Sequence, residues 1–186
     1  MGLTLLAAPS VEPITLAEAK AHCRVDAVDD DGLITALIVA ARNKAENRTA
    51  RALVTQQWRL DLDGFPVDGI DLPLPPLQSV QTITYLDADG VRQTLAASEY
   101  TVISNETPGS VLPAYGKAWP GCRVTPGSVQ ISFTAGYGAA IAVPQAIMQW
   151  MLMYISQWYE TRDAEHKAEL GFVDALLDPY RVLRFD

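Results

Sequence analysis

Apolar residues near the end of the chain follow a helical period and predict one long helix from Val143 to Arg162. They recur there at intervals of three and four residues, as on one side of an α-helix. Pro144 suits the first turn, where its missing N–H costs nothing. Because the apolar stripe is broad, we expect this helix to be buried over most of its surface. The stripe comprises Ile147, Met151, Tyr154, Ile155 and Trp158, flanked by Met148, Leu152 and Tyr159.

Two more helices are predicted near the start of the chain. Thr15 and Glu18 have the spacing of a capping box, which predicts a short helix from about Leu16 to Arg24. A second helical pattern runs from about Asp30 to Thr49, and the carboxylates before it are expected to cap its free N–H groups. These carboxylates are Asp29, Asp30 and Asp31. The predicted inner face is Leu33, Ile34, Leu37, Ile38, Ala41 and Ala45, and the predicted outer face is Arg42, Lys44, Glu46 and Arg48.

Between these helices and the long one, the apolar period changes from helical to two, which is typical of β-strands. Trp58, Leu60 and Leu62 alternate with polar residues, and Val129, Ile131 and Phe133 do the same. Further strands are predicted at 70–72, 80–86, 91–95 and 100–103, the first of them at a sheet edge. The turn at 87–90 joins two of them into a hairpin.

The chain after residue 162 predicts a break, a shorter helix from Ala168 to Leu177 that Pro179 ends, and an apolar and basic tail. Together the patterns predict an α+β fold, with a small bundle of about four helices and a large β-rich insertion between helices 2 and 3. We expect a single domain over residues 1–186, with a helical core at 15–53 and 143–177. The insertion is placed at 54–138 and the tail at 178–186.

The composition and charge exclude several classes of protein but do not by themselves indicate a function. The 186 residues are 49% hydrophobic, enough for a substantial core, and carry a formal net charge of −8. That charge argues against a general nucleic-acid binder, which needs a basic face. The first residues lack the basic start of a signal peptide, and no run is long and apolar enough for a membrane span. Cys23 and Cys122 lie far apart, which favours a reduced, cytoplasmic protein.

Residue patterns that carry catalysis or bind metals are incomplete in this sequence. His22 and Cys23 are adjacent, so a helix would point them about 100° apart, and no second zinc-spaced pair follows. The run from Asp29 to Gly32 resembles the start of a calcium loop, but Ile38 stands where the bidentate glutamate belongs. Gly116–Lys117 lacks the rest of a phosphate-binding loop. We therefore predict no enzymatic activity, no cofactor and no metal.

Two segments are candidates for contacts with other proteins. The segment 112–123 is rich in aromatic, proline and glycine residues, types that are typical of interface anchors. Either Trp119 covers its own sheet or it contacts another subunit. The tail likewise either docks on its own domain or orders on a partner. The candidate interface residues are Tyr115, Trp119, Pro120 and Arg123 in the loop, and Tyr180, Arg181, Leu183, Arg184 and Phe185 in the tail.

Seven short motifs, in this order and spacing, resemble the head–tail connector family of phages and prophages, also called adaptor or head-completion proteins. The resemblance extends from about Glu12 to Arg162. The motifs are Pro13–Lys20, Asp29–Asp31, Thr55–Trp58, Leu74–Val80, Pro113–Pro120, Thr134–Gly138, and Val143–Pro144 leading to Trp158–Arg162.

This resemblance implies a structural virion protein in the neck, at the head–tail junction, that is present in the host cytoplasm during assembly. Family members assemble as a ring, typically of twelve copies, below the portal protein, and offer a platform to neck or tail-completion proteins. DNA passes through without sequence-specific binding, and an acidic wall would not trap it. No cofactor, catalytic residue or membrane contact is implied. Simpler members of the family are almost wholly helical, so the resemblance implies no role for the β-rich insertion of this chain.

Three other functions stay open at this point. The chain could be another neck or tail-completion protein that binds a tail tube instead of the portal. It could be a prophage-encoded binding module whose β-rich insertion recognises a ligand such as a glycan. It could also be an enzyme whose residues form no recognisable pattern.

Overall fold

The computed structural model describes residues 2–161 and 171–182 and confirms the predicted α+β fold. The described residues contain four α-helices, with a β-rich region between the second and the third. The chain divides into two compact units. A β unit comprises the chain up to Pro9 together with Thr55–Tyr137, and a helical unit comprises Ser10–Val54 and the described residues from Gly138 onward. The helices are α1 (Leu16–Cys23), α2 (Asp31–Thr49), α3 (Gln145–Thr161) and α4 (Gly171–Asp174).

The β unit contains two antiparallel sheets. One has five strands in the order β1-β2-β8-β4-β5, and the other has three in the order β3-β7-β6. All six predicted strands are present, and β4 and β5 form the predicted hairpin. β1 and β7 were not predicted. The strands are β1 (Gly2–Ala7), β2 (Gln56–Leu62), β3 (Ile70–Leu72), β4 (Leu77–Leu86), β5 (Arg92–Thr94), β6 (Tyr100–Ile103), β7 (Gly109–Pro113) and β8 (Val129–Ala135).

One face of the five-stranded sheet forms the core of the β unit. Leu60, Ile131 and Ile83 lie side by side across β2, β8 and β4, and all three are fully buried. Their neighbours one residue along β2 and β8 are Arg59 and Ser132, on the opposite, polar face. The period of two in the sequence therefore corresponds to this division between faces.

In the helical unit, α1, α2 and α3 pack against one another. The predicted capping box begins α1. The N–H of Glu18 donates to Thr15 Oγ1 at 3.2 Å, and the N–H of Thr15 donates to Glu18 Oε2 at 2.8 Å. Hydrogen bonds from the side chain and backbone of Thr15 also lower the pKa of Glu18. Arg24 ends the helix in the left-handed conformation, with a φ of 57°.

The carboxylates before α2 do not cap it as predicted. Asp30 occupies the N-cap position but makes no side-chain capping hydrogen bond. Its Oδ2 instead accepts from the hydroxyl of Tyr159 at 2.5 Å, which joins the start of α2 to the end of α3. Asp31 pairs with Lys20 of α1 at 2.5 Å. These carboxylates thus connect helices, a role that their position in the sequence could not reveal.

The prediction that Arg42 faces outward is wrong. Only 7% of its surface is exposed. Its Nε donates to Glu12 Oε2 at 2.7 Å and its Nη1 donates to Glu46 Oε2 at 2.8 Å. Burial alone would lower the pKa of Arg42, but the two carboxylates outweigh burial and raise it. Glu46 Oε1 also accepts from the N–H of Leu53, so this cluster fixes the chain just after α2.

The helix α3 is buried on one side rather than over most of its surface. The middle of α3 lies in the apolar core of the helical unit, where Trp150 and Met151 have no exposed surface. Met153 is 40% exposed, because α1 and α2 cover only one side of the helix. The buried residues are Ile147, Trp150, Met151, Tyr154 and Ile155, whereas Met148, Leu152, Trp158 and Tyr159 are half-buried.

The carboxylate of Asp174 in α4 connects this part of the chain to α2 and α3. Asp174 Oδ1 accepts from Trp150 Nε1 at 3.0 Å and from the Tyr154 hydroxyl at 2.8 Å. Its Oδ2 lies 3.1 Å from Arg48 Nη2. The predicted stop before Pro179 is wrong, because α4 continues as a 3-10 helix over Ala175–Tyr180 that contains this proline. The fixed φ of proline is compatible with a 3-10 turn. The predicted break at 162–166 and the predicted helix start at Ala168 lie outside the described residues.

Stability of the helical unit should fall as the pH rises from about 10 to about 12. Burial, the hydrogen bond to Asp174 and the charge of that carboxylate raise the pKa of Tyr154 to about 12. An unfolded tyrosine titrates near 10, so unfolding releases a proton within this window, and the stabilisation is complete only below it. Urea unfolding at a series of pH values should show the decline. The Tyr154→Phe variant should show a shallower one, and equal slopes would contradict this assignment.

Candidate functional site

The loop between β7 and β8 holds the first group of candidate residues and packs against its own β unit at Trp119. The Trp119 ring stacks on Phe65, with centroids 4.8 Å apart and planes 10° from parallel. Phe65 in turn contacts Tyr85 at 5.6 Å. The indole is half-buried, and its Nε1 has no hydrogen-bond partner among the described residues. Trp119 therefore covers its own unit, and a subunit contact at this residue stays a prediction.

Tyr115, by contrast, is fully exposed on a well-fixed turn. Its relative exposure is 105%. The N–H of Ala114 donates to the Glu99 carbonyl at 3.0 Å, and the N–H of Lys117 donates to the Ala114 carbonyl at 2.8 Å. Lys117 Nζ lies 3.2 Å from Glu99 Oε1, and Gly116 supplies the positive φ of 73° that the turn requires. The turn thus holds an aromatic side chain away from its own unit.

Pro120 and Arg123 lie further along the same loop. Pro120 is half-buried and Arg123 is exposed. The N–H of Arg123 donates to the Leu86 carbonyl at 2.9 Å, which ties the loop to the end of β4. Its guanidinium lies so close to Gly90 that a Cβ there would be 2.9 Å from Nη1. Arg123 is therefore next to the β4–β5 turn, on the same unit as Tyr115.

The described part of the tail is attached to its own helical unit. Arg51 Nε donates to the Tyr180 carbonyl at 2.6 Å, and the N–H of Val182 donates to the Thr49 carbonyl at 2.9 Å. Tyr180 is half-buried and Arg181 is exposed. The candidates Leu183, Arg184 and Phe185 lie outside the described residues. Of the two alternatives for the tail, docking on its own domain therefore applies to the residues up to Val182.

The described ranges, 2–161 and 171–182, bring together no three His, Cys, Asp or Glu side chains that could hold a metal ion. Within the same ranges, none of the helices has the length and apolar character needed to cross a membrane.

The strand β1, whose leucines are exposed, is a surface that was not predicted from the sequence. The absence of charged residues from Gly2 to Val11 was the signal that could have indicated it.

Comparison with known proteins identifies the family. The family model of phage gp6-like head-tail connector proteins matches residues 13–110, more than half of the 186 residues. The chain therefore belongs to the head–tail connector family, as its motifs predicted. Comparison with curated proteins gave no match.

Solved structures similar to the chain come from the particles of gene transfer agents. A chain of the neck of an empty particle, computed with C6 symmetry, is 28% identical with a TM-score of 0.84. A chain of the native virion is also 28% identical, with a TM-score of 0.83. A chain of the native neck, computed with C12 symmetry, is 29% identical with a TM-score of 0.82. Each match covers 100% of this chain and 98% of the other.

Proposed function

We propose that this protein is a non-enzymatic adaptor that forms a ring in the neck of a virion, between the portal and the next neck or tail-completion protein. One observation carries the proposal: a chain from a particle neck matches this chain over its whole length at a TM-score of 0.84. The family and the match support a structural role in the neck. The portal contact and a ring of twelve copies are the finer parts of the proposal, and the C12 symmetry of one matched neck supports the copy number.

A ring requires two different surfaces on each copy, since the same contact must repeat in one direction around the axis. The chain carries a net charge of −8, which suits a channel wall that DNA must pass without being held. The exposed loop of the β unit and the tail of the helical unit offer separate candidate surfaces. We propose that both take part in assembly, with Tyr115 and Arg123 in the first and Leu183, Arg184 and Phe185 in the second.

Tyr115→Ser should weaken neck assembly without changing the stability of the monomer. The ring of Tyr115 contacts solvent in the free chain, so its removal should change the free energy of unfolding by less than about 0.5 kcal/mol. A buried aromatic anchor typically contributes about 2 kcal/mol or more to an interface, so assembly should weaken about tenfold or more. Mass photometry of the chain with portal rings measures this.

The matched control is Val67→Ser, at another side chain of the β unit that is 91% exposed. This variant should assemble as the wild type does. Equal assembly of the Tyr115→Ser protein and the wild type would remove Tyr115 from the interface.

Deleting Leu183–Asp186 should abolish portal binding while leaving the melting temperature of the monomer unchanged. The truncation keeps Val182 and therefore keeps the hydrogen bonds to Thr49 and from Arg51 that attach the tail. The deleted residues include two apolar side chains, Leu183 and Phe185, which a partner could bury, and Arg184 between them, which could pair with a carboxylate of the partner. Differential scanning calorimetry and co-sedimentation with portal rings measure the two effects. A truncated monomer that melts markedly lower would assign these residues to the chain's own fold.

Co-sedimentation of the full chain with purified portal rings tests the proposed function as a whole. Binding to the portal supports the adaptor. Binding to tail tubes but not to portal rings would instead identify a tail-completion protein. The control is a heat-denatured sample of the same chain, which should bind neither portal rings nor tail tubes.

A further inference from the structure

The strand β1 forms an exposed edge of the five-stranded sheet. All six of its residues are exposed, and Leu3, Leu5 and Leu6 keep 38%, 44% and 48% of their surface accessible. One side of the strand pairs with β2. No strand lies on the other side among the described residues, which leaves backbone N–H and C=O groups along that edge. An apolar edge of this kind is a template for pairing with another chain.

The other sheet edges are less suited to such pairing. β5 and β3 have three residues each and carry Arg92 and Asp71, respectively. β6 has four residues, three of them half-buried. Short and charged edges resist pairing. The register of β1 shifts between Leu5 and Ala7, so its regular edge is Gly2–Leu5. This segment is thus the most exposed apolar edge of the β unit.

Charge indicates which partner this edge would accept. The chain carries a net charge of −8, so two copies repel each other over most of their surface. The segment from Gly2 to Pro9 contains no charged residue. The carboxylate next to the strand, Asp61 opposite Gly2, is paired with Arg59, so another acidic copy can approach this edge with less repulsion than elsewhere. A basic partner would gain more by binding the acidic surface elsewhere.

We propose that the β1 edge is a contact between neighbouring copies of this chain in the assembled ring. The backbone of Gly2–Leu5 would form main-chain hydrogen bonds with a different surface of the next copy, as a ring requires, and the exposed leucines would be buried against that surface. The inference rests on the proposed ring, and it adds the surface and the mode of contact. It also gives a role in self-association to the five-stranded sheet, whose other four strands lie in the β-rich insertion.

A charge placed next to this edge, at the exposed Leu6 that directly follows Gly2–Leu5, should prevent the contact. Leu6→Lys adds an ammonium that each interface would have to bury, so the concentration needed for assembly should rise about tenfold or more. Thr94→Lys is the matched control, because it adds the same charge to an exposed residue of β5 at the opposite edge of the same sheet. Mass photometry of each full chain, alone and with portal rings, measures assembly, and thermal unfolding checks that each variant is folded.

A photo-crosslinking residue in place of Leu6 identifies the partner directly. The chain that carries this residue and is otherwise wild type is assembled and then irradiated. We expect a covalent product with the mass of two copies of this chain. The same residue in place of Thr94 should give no such product. Mass spectrometry of the linked peptides then gives the contacted segment of the next copy.

The outcomes separate this inference from the proposed function. If the wild type forms rings, but Leu6→Lys assembles equally well or position 6 links to a different protein, the β1 contact is wrong and the adaptor stands. If the wild type forms no ring alone or on the portal, the ring and the β1 contact are both wrong. Loss of assembly in Leu6→Lys alone, with a self-link at position 6, supports the inference.

Discussion

Trp150→Ala should reduce the free energy of unfolding by about 3–5 kcal/mol, the usual cost of deleting a large buried side chain. Trp150 has no exposed surface and lies in the middle of α3. Its Nε1 donates to Asp174, so the variant also frees an acceptor that holds the chain after α3 in place. Urea unfolding followed by circular dichroism measures the loss. A value within about 0.5 kcal/mol of the wild type would contradict the described core.

Trp158→Ala is the matched control on the same helix. The apolar stripe in the sequence predicted that Trp158 is a core residue, but it is half-buried. It contacts the Tyr154 ring at 5.5 Å and lies 5.2 Å from Lys44 Nζ. We therefore expect a smaller loss than for Trp150. Trp150→Phe should cost less than Trp150→Ala, because it keeps most of the buried volume while it loses the hydrogen bond to Asp174.

Arg42→Ala should be comparably destabilising, by about 3–5 kcal/mol, because it removes one partner from a buried charged cluster. The side chains of Arg42 and Glu46 are only 9% and 13% exposed. Without the guanidinium, the negative charges of Glu12 and Glu46 would remain near each other in a poorly hydrated place. Urea unfolding measures this loss as well.

Arg48→Ala provides the comparison for Arg42. Its ion pair with Asp174 is more accessible, with side chains 38% and 20% exposed, so its loss should cost about 1 kcal/mol or less. Combining Arg42→Met with Glu12→Gln and Glu46→Gln should recover part of the stability, since no uncompensated charge would then be buried. Equal costs for Arg42→Ala and Arg48→Ala would contradict the role assigned to the cluster.

Local signals explain which parts of the fold could be predicted from the sequence. The capping box at Thr15 and the alternation at Trp58 act within a few residues, and both elements are present as predicted. The strand β1 lacks a turn signal and pairs with β2, more than fifty residues away in the chain. The burial of Arg42 depends on Glu12, thirty residues away. Such long-range pairings are not encoded in a local period.

The candidate interface shows the same limit. Composition indicated the loop around Trp119, but not that Trp119 would stack on Phe65 while Tyr115 stays exposed. That division depends on Glu99 and on the β2–β3 segment, neither of which is near the loop in sequence. The family, by contrast, was predicted from motifs spread along most of the chain, and the match over residues 13–110 confirms it.

Electron cryo-microscopy of the particle neck tests the proposed function most directly. The account predicts a ring of twelve copies of this chain seated on the portal, with the Tyr115 turn and the β1 edge buried in protein contacts. A neck that lacks this chain, or one that holds it away from the portal and without contacts between copies, would contradict the account.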